Sequence, residues 1–263
     1  MILKRKNKNL GNIIKKSSFI ILLIFSIGFP VISSANSQSI EVSNSEINNL
    51  DSELKNNISK TNKVVKESIV LAQQKIELEN KIKQAKMEKS NRLEKLKADK
   101  SKFIAQGAQN ISEDNMFYPI AKTGLTAEEI NIGLAGTDLA GTGEAFKKVE
   151  DEYGVNPIFL VAIANHESYY GSSNIAKVKN NLFGFNANDS NPMGDASVYS
   201  SYSDCIIKVG AKLKKLYLSD NGIYFGGYSS YGVNKRYSTD PGWPDKVNNQ
   251  MIKFTEKLIN NWK

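Results

Sequence analysis

The chain has 263 residues, 40% of them hydrophobic, and a formal net charge of +8. Lys4, Arg5, Lys6, Lys8, Lys15 and Lys16 supply six of the 35 basic residues before the first acid at Glu41, and the remainder is close to neutral. The charge therefore gives no nucleic-acid footprint, which needs Lys and Arg clustered on one folded face. A single cysteine, Cys205, excludes an intrachain disulfide, and a single histidine, His166, excludes every mechanism or metal site that needs two.

Residues 1–35 read as an export signal. A basic stretch precedes an apolar run from Phe19 to Ile32, broken by Gly28 and Pro30, and Ser33-Ser34-Ala35 offers small residues for a signal peptidase. The run is shorter than the ~20 residues that span a bilayer comfortably. Cleavage after Ala35 is the first expectation, and an uncleaved anchor through residues 17–35 the alternative. Residues 36–105 then form a spacer. From 40 to about 105 there is no Gly or Pro, and Ile47, Leu50, Leu54 and Ile58 recur at spacings of three and four. Leu71, Leu78, Ile82 and Ala85 form a second set after a polar interruption, as in one long helix or a weak coiled coil that self-associates through residues 40–105. A solvated spacer is the plainer alternative. Residues 106–120, with Gly107 and Pro119, read as a linker within the 106–263 domain.

That domain shows helix signals in order. Thr126 and Glu129 make a capping box. The segment Glu144–Tyr153 is stopped by Gly154. Asn156 caps a helix with Pro157 at its first position, running through an apolar stretch to near Gly171. Two amphipathic segments follow, from Ser203 to Tyr217 and around Val247 to Leu258. Cys205 lies in the first of these as a buried structural thiol, and Lys212, Lys214 and Lys215 read as its solvated face. Between Asn180 and Tyr202 the sequence is polar and turn-rich, as for a small irregular or β lobe.

Glu167 lies three, four and seven residues after Ala164, Ile163 and Leu160, on the same helical face as those apolar side chains. Apolar surroundings and the carbonyl end of a helix both raise a carboxyl pKa, as a general acid at neutral pH requires. An exposed helix-end carboxylate, or one paired with a lysine, is equally open on this ground alone. The His166-Glu167 pair is not a zinc-protease motif, because position 170 is Tyr170 rather than a second histidine.

Three segments carry a family resemblance: Ala162-Ile163-Ala164-Asn165-His166-Glu167-Ser168-Tyr169-Tyr170-Gly171-Ser172-Ser173, Lys179-Asn180-Asn181-Leu182-Phe183-Gly184-Phe185, and Tyr237-Ser238-Thr239-Asp240-Pro241-Gly242-Trp243. In this order they resemble the bacterial glucosaminidase domains of peptidoglycan hydrolases (glycoside hydrolase family 73). Ser238 and Trp243 replace the family's usual Ala and Tyr. The resemblance implies a mainly α, lysozyme-like domain with a cleft, and hydrolysis of the β-1,4 bond after N-acetylglucosamine in peptidoglycan glycan strands. It implies Glu167 as general acid and Tyr237 as an assisting group near the reacting sugar, with no cofactor or metal. The second catalytic group stays open between Asp195, Asp189 and the substrate's own N-acetyl group, and Asp240 reads as a turn cap. Tyr170, Asn181, Phe183, Phe185, Tyr228, Tyr231 and Trp243 are the expected substrate-binding residues, with Phe183 equally a core candidate. A lytic transglycosylase and a non-catalytic wall-binding factor remain the rival functions.

Overall fold

The computed structural model describes residues 43–186 and 192–262. The export signal expected at 1–35 lies outside the described residues, and so does Asp189. No helix among the described residues is long and apolar enough to cross a membrane.

Contacts divide the chain into two units, Met1–Leu71 and Ala72–Lys263. The described part of the first is the opening of α1 (Asn44–Gln106), and all of it is exposed. Ser43 starts this helix, with Glu46 Oε2 accepting the Ser43 N–H at 3.2 Å. Pairs one turn apart, such as Lys55 with Asp51, support it. No glycine interrupts it before Gly107, whose φ of 80° ends it.

The second unit is mainly α, as expected. The last turns of α1 belong to its core: Leu96 and Phe103 are buried, and Phe103 stacks on Phe117 with ring centroids 4.6 Å apart. Buried Asp99 accepts the Met116 N–H at 2.9 Å and a Lys95 hydrogen bond at 2.6 Å. Arg92 forks onto Glu129 at 3.1 and 2.8 Å, and Glu129 is also the capping-box partner of Thr126. The stretch expected to be a linker after residue 106 is therefore packed, with Met116 and Phe117 buried. Its polar residues hold it down: Asn115 Oδ1 accepts the Phe117 N–H at 2.8 Å.

The remaining helices are α2 (Ala127–Leu134), α3 (Gly143–Tyr153), α4 (Pro157–Ser168), α5 (Asn174–Lys179), α6 (Pro192–Asp195), α7 (Tyr202–Tyr217), α8 (Ser230–Tyr237) and α9 (Trp243–Asn260). The centre is α4. Asn156 Oδ1 accepts the Ile158 and Phe159 N–H groups, while its Nδ2 donates to the Met116 and Tyr118 carbonyls. This one side chain starts the helix and ties it to the segment after α1. Every residue from Pro157 to Asn165 is buried, so α4 is enclosed all round rather than along one stripe. Helix α9 packs along it, with Asn165 Nδ2 donating to Gln250 Oε1 at 2.7 Å. Helices α3 and α7 cross at Gly210, where an added Cβ would lie 2.5 Å from Val149.

The lobe after α5 contains turns and the short α6, with no strand among the described residues. Side-chain amides replace a ladder there: Asn180 Nδ2 donates to the Tyr199 carbonyl, and Asn181 Nδ2 to those of Phe185 and Ser197. That accounts for the asparagine-rich composition which reads as turn or β in the sequence.

Candidate active site

Glu167 occupies the last turn of α4. Ser168 closes that turn: its Oγ donates to the Ala164 carbonyl at 2.7 Å and accepts the Gly171 N–H at 3.1 Å. Tyr169, Tyr170 and Gly171 then take φ values of 51°, 57° and 86°. Two successive non-glycine residues in the left-handed region each cost about 1 kcal/mol or more. This strain reverses the chain directly beside the carboxylate.

The carboxylate faces a cleft of about 540 Å³. One wall is the loop Phe183-Gly184-Phe185, and another is Tyr217, Tyr224, Tyr237 and Trp243. The loop is held from behind. Asn181 Oδ1 accepts the Phe185 N–H at 3.0 Å, and the Leu182 N–H points at Cys205 Sγ at 3.4 Å. Cys205 is buried, as expected, and burial pushes its thiol up to about 12. Gly184 has φ 61°, and a Cβ there would stand 3.9 Å from Glu167 Oε2. The backbone thus passes close to the acid.

Trp243 Nε1–H donates to Glu167 Oε1 at 2.8 Å. Burial raises the Glu167 pKa above the ordinary carboxyl value, while the Trp243 hydrogen bond and neighbouring His166 pull it down. Burial is the largest influence and the net shift is upward. Tyr237 packs against Trp243 with centroids 4.9 Å apart and the rings tilted by 38°, and meets Tyr217 edge-on at 5.6 Å. Burial first, and the nearby Glu167 second, push its hydroxyl well above the ordinary tyrosine value. Its phenol stays protonated and able to donate.

Asp240 also lines the cleft. Its Oδ1 accepts the Gly242 N–H at 2.8 Å and its Oδ2 a Lys246 hydrogen bond at 2.6 Å. The Lys246 hydrogen bond is the largest cause of its lowered pKa, followed by the Gly242 N–H. The cleft therefore holds two carboxyl groups tuned in opposite directions, the pattern that separates an acid from an ionised partner. Both Asp240 oxygens are engaged, so it is the turn cap that the sequence indicates as well as a fixed negative charge.

The other expected site residues divide. Phe183, Phe185 and Trp243 line the cleft. Trp243 is only 1% exposed, so it holds the acid instead of offering an open stacking face. Asn181 is buried behind the loop and organises it. Tyr170 packs against the core and does not line the cleft. Tyr228 donates to Asp220 at 2.7 Å, and Tyr231 is hydrogen-bonded to Asp245; neither reaches the lining. Asp195 is exposed at the end of α6, outside the lining. Aromatic or acidic type marks candidates in a sequence, but not the direction a side chain takes. Tyr217 and Tyr224, unflagged in the sequence, reach the cleft by packing on each other at 5.1 Å.

Among the described residues the domain is helical, and its aromatic cleft holds a carboxyl that burial raises above its ordinary value. Residues 143–256 match the model of the glucosaminidase family, described as mannosyl-glycoprotein endo-beta-N-acetylglucosaminidase. A Streptococcus pneumoniae serotype 4 protein, provisionally named endo-beta-N-acetylglucosaminidase, is 34% identical over 141 residues, covering 52% of this chain and 21% of its own length. The Bacillus subtilis beta-N-acetylglucosaminidase is 28% identical over 177 residues, covering 57% of this chain and 20% of its own. The chain thus spans about a fifth of the length of these relatives. Among solved structures, Staphylococcus aureus autolysin E aligns at 26% identity and TM-score 0.44, covering 57% of this chain and 75% of that one. A catalytic mutant of autolysin E bound to the disaccharide NAG-NAM aligns at 25% and 0.43, with the same coverage.

Proposed function

We propose that this chain is a peptidoglycan hydrolase that cuts the β-1,4 bond after N-acetylglucosamine, with Glu167 as general acid. The observation that carries this reading is the Glu167 carboxyl, pushed upward by burial yet oriented by Trp243 in an aromatic cleft. The family match over 143–256 and the N-acetylglucosaminidase names of its relatives support the sugar. The three ordered motifs support peptidoglycan as the polymer.

In this reading Glu167 gives its proton to the departing glycosidic oxygen as the C1–O bond breaks. The carbonyl oxygen of the sugar's own N-acetyl group closes on C1, with the protonated Tyr237 hydroxyl positioned to orient that group. Water then attacks C1, its proton returns to Glu167, and the N-acetyl group is released. Asp195 takes no part, because it does not line the cleft. Export, with residues 1–35 as signal or residues 17–35 as outer-face anchor, and the exposed opening of α1 as spacer and self-association segment, brings the domain to the wall.

Mass spectrometry of digested purified peptidoglycan tests the reaction. Products with reducing-end N-acetylglucosamine are expected, whereas anhydro-muramic ends would assign a lytic transglycosylase instead.

Trp243→Phe tests the tuning. The lost N–H favours the ionised carboxylate, so its removal lifts the Glu167 pKa further. A general acid works only while protonated, so the alkaline limb of the kcat/KM profile should move to higher pH. A limb that stays put or moves down would break the link between Trp243 and the acid.

A further inference from the structure

In the first unit Ile47, Leu50, Leu54, Ile58, Val65 and Ile69 stand 49–64% exposed, although aliphatic side chains of this size are usually buried. With Thr61 they follow steps of three, four and four: 47, 50, 54, then 58, 61, 65, then 69. The repeat is eleven residues, about 3.67 per turn, which holds one stripe on one side of a nearly straight helix. The sequence continues the register through Ala72 and Ile76, and Asn80 and Lys83 end it. Leu96 and Phe103, buried in the second unit, fall outside this register, so the stripe is separate from the face that packs into the domain core.

The charges along the same stretch are segregated. Glu46, Asp51 and Glu53 come with no base among them, and Lys55, Lys60, Lys63 and Lys66 follow with no acid among them. Two parallel copies in register would set each acid cluster against its own copy and each lysine cluster against its own. An antiparallel pair centred on Ile58 does the opposite. It brings Asp51 beside Lys66 of the second copy on one edge of the stripe, and Glu53 towards the second copy's Lys60 on the other. The apolar spacing is matched about that point to within one residue: Ile47 stands level with Ile69 and Ile58 with itself, while Leu50 with Val65 and Leu54 with Thr61 are each one residue off level. An isologous two-fold contact requires this self-complementarity. The area covered across the pair is on the order of 1,000 Å², near the lower size of specific interfaces.

We propose that two copies of this chain pair through Ile47–Ile69 as an antiparallel two-helix coiled coil with Ile58 on the two-fold axis. The pairing gives the self-association segment a register and a direction. It does not depend on the hydrolase reading, because it is measured without substrate.

Sedimentation equilibrium of the full chain should show a dimer, and Leu54→Glu with Ile58→Glu should return it to a monomer. These side chains are exposed, so the double variant leaves domain folding untouched. Mild oxidation should crosslink Ile58→Cys to itself, while Ile47→Cys and Ile69→Cys should crosslink when mixed and not singly; the native Cys205 is buried. A monomeric wild type, a double variant that stays dimeric, or self-crosslinking of Ile47→Cys alone would each overturn the proposal.

Discussion

Glu167→Gln is expected to slow peptidoglycan hydrolysis by about 10²–10⁴-fold, the usual contribution of a positioned proton donor, while leaving wall binding intact. Glutamine keeps the size of the side chain and an oxygen to accept from Trp243 Nε1, so the cleft retains its shape. Only the transferable proton is lost. A variant that clears cell walls as fast as the wild type would remove Glu167 from the reaction and return the wall-binding alternative. The same substitution has a stability signature. The folded pKa of Glu167 lies above the unfolded value of 4.5, so the folded state binds more protons between those two values. Stability contributed at this site is therefore present below the unfolded pKa and lost as pH rises through the folded one. Glutamine cannot titrate, and the variant should lack that loss in melts compared across the two pH ranges.

Phe103→Ala is expected to destabilise the second unit by about 3–5 kcal/mol. For a unit of this size that corresponds to a fall of about 10 °C in Tm. The reason is that Phe103 belongs to a long charged helix but is 3% exposed and stacked on Phe117. A chain beginning at Gly107 should fare worse. It loses Leu96 as well, leaves the Met116 N–H without Asp99, and leaves buried Glu129 without Arg92. Leu96 alone is worth about 2–5 kcal/mol, so together these losses approach the whole 5–15 kcal/mol by which domains are stable. Circular dichroism melts of the two variants beside the wild type measure both effects. A chain from Gly107 that melts as cooperatively and as high as the full one would show α1 to be a dispensable spacer.

Local signals were readable wherever one side chain decides. Thr126 with Glu129, Asn156 with Pro157, and Gly154 each mark a helix end by a hydrogen bond or a backbone angle close in sequence, and each stands where the sequence indicates. The short helices α5 and α8 were not readable, because six to eight residues carry too little periodicity. Their caps, Ser173 and Ser229, resemble ordinary loop serines. Tyr228 and Tyr231 are candidates by residue type, but they turn to Asp220 and Asp245 and do not line the cleft, because ring chemistry is visible in a sequence and orientation is not.

The sequence alone determined an α-helical chain, a carboxyl at the end of an apolar helix, and the three motifs that bring Glu167, the Phe183–Phe185 loop and Tyr237 into one family pattern. Those features depend on neighbours a few residues away or on residue identity. Only the tertiary structure decided that the foot of α1 is core, that Asp240 and not Asp195 reaches the cleft, and that Trp243 is buried with its N–H on the Glu167 carboxylate. These depend on contacts between segments 14 to 76 residues apart, such as Phe103 with Phe117 and Glu167 with Trp243, and burial and direction at that range are set by packing, which no local pattern encodes.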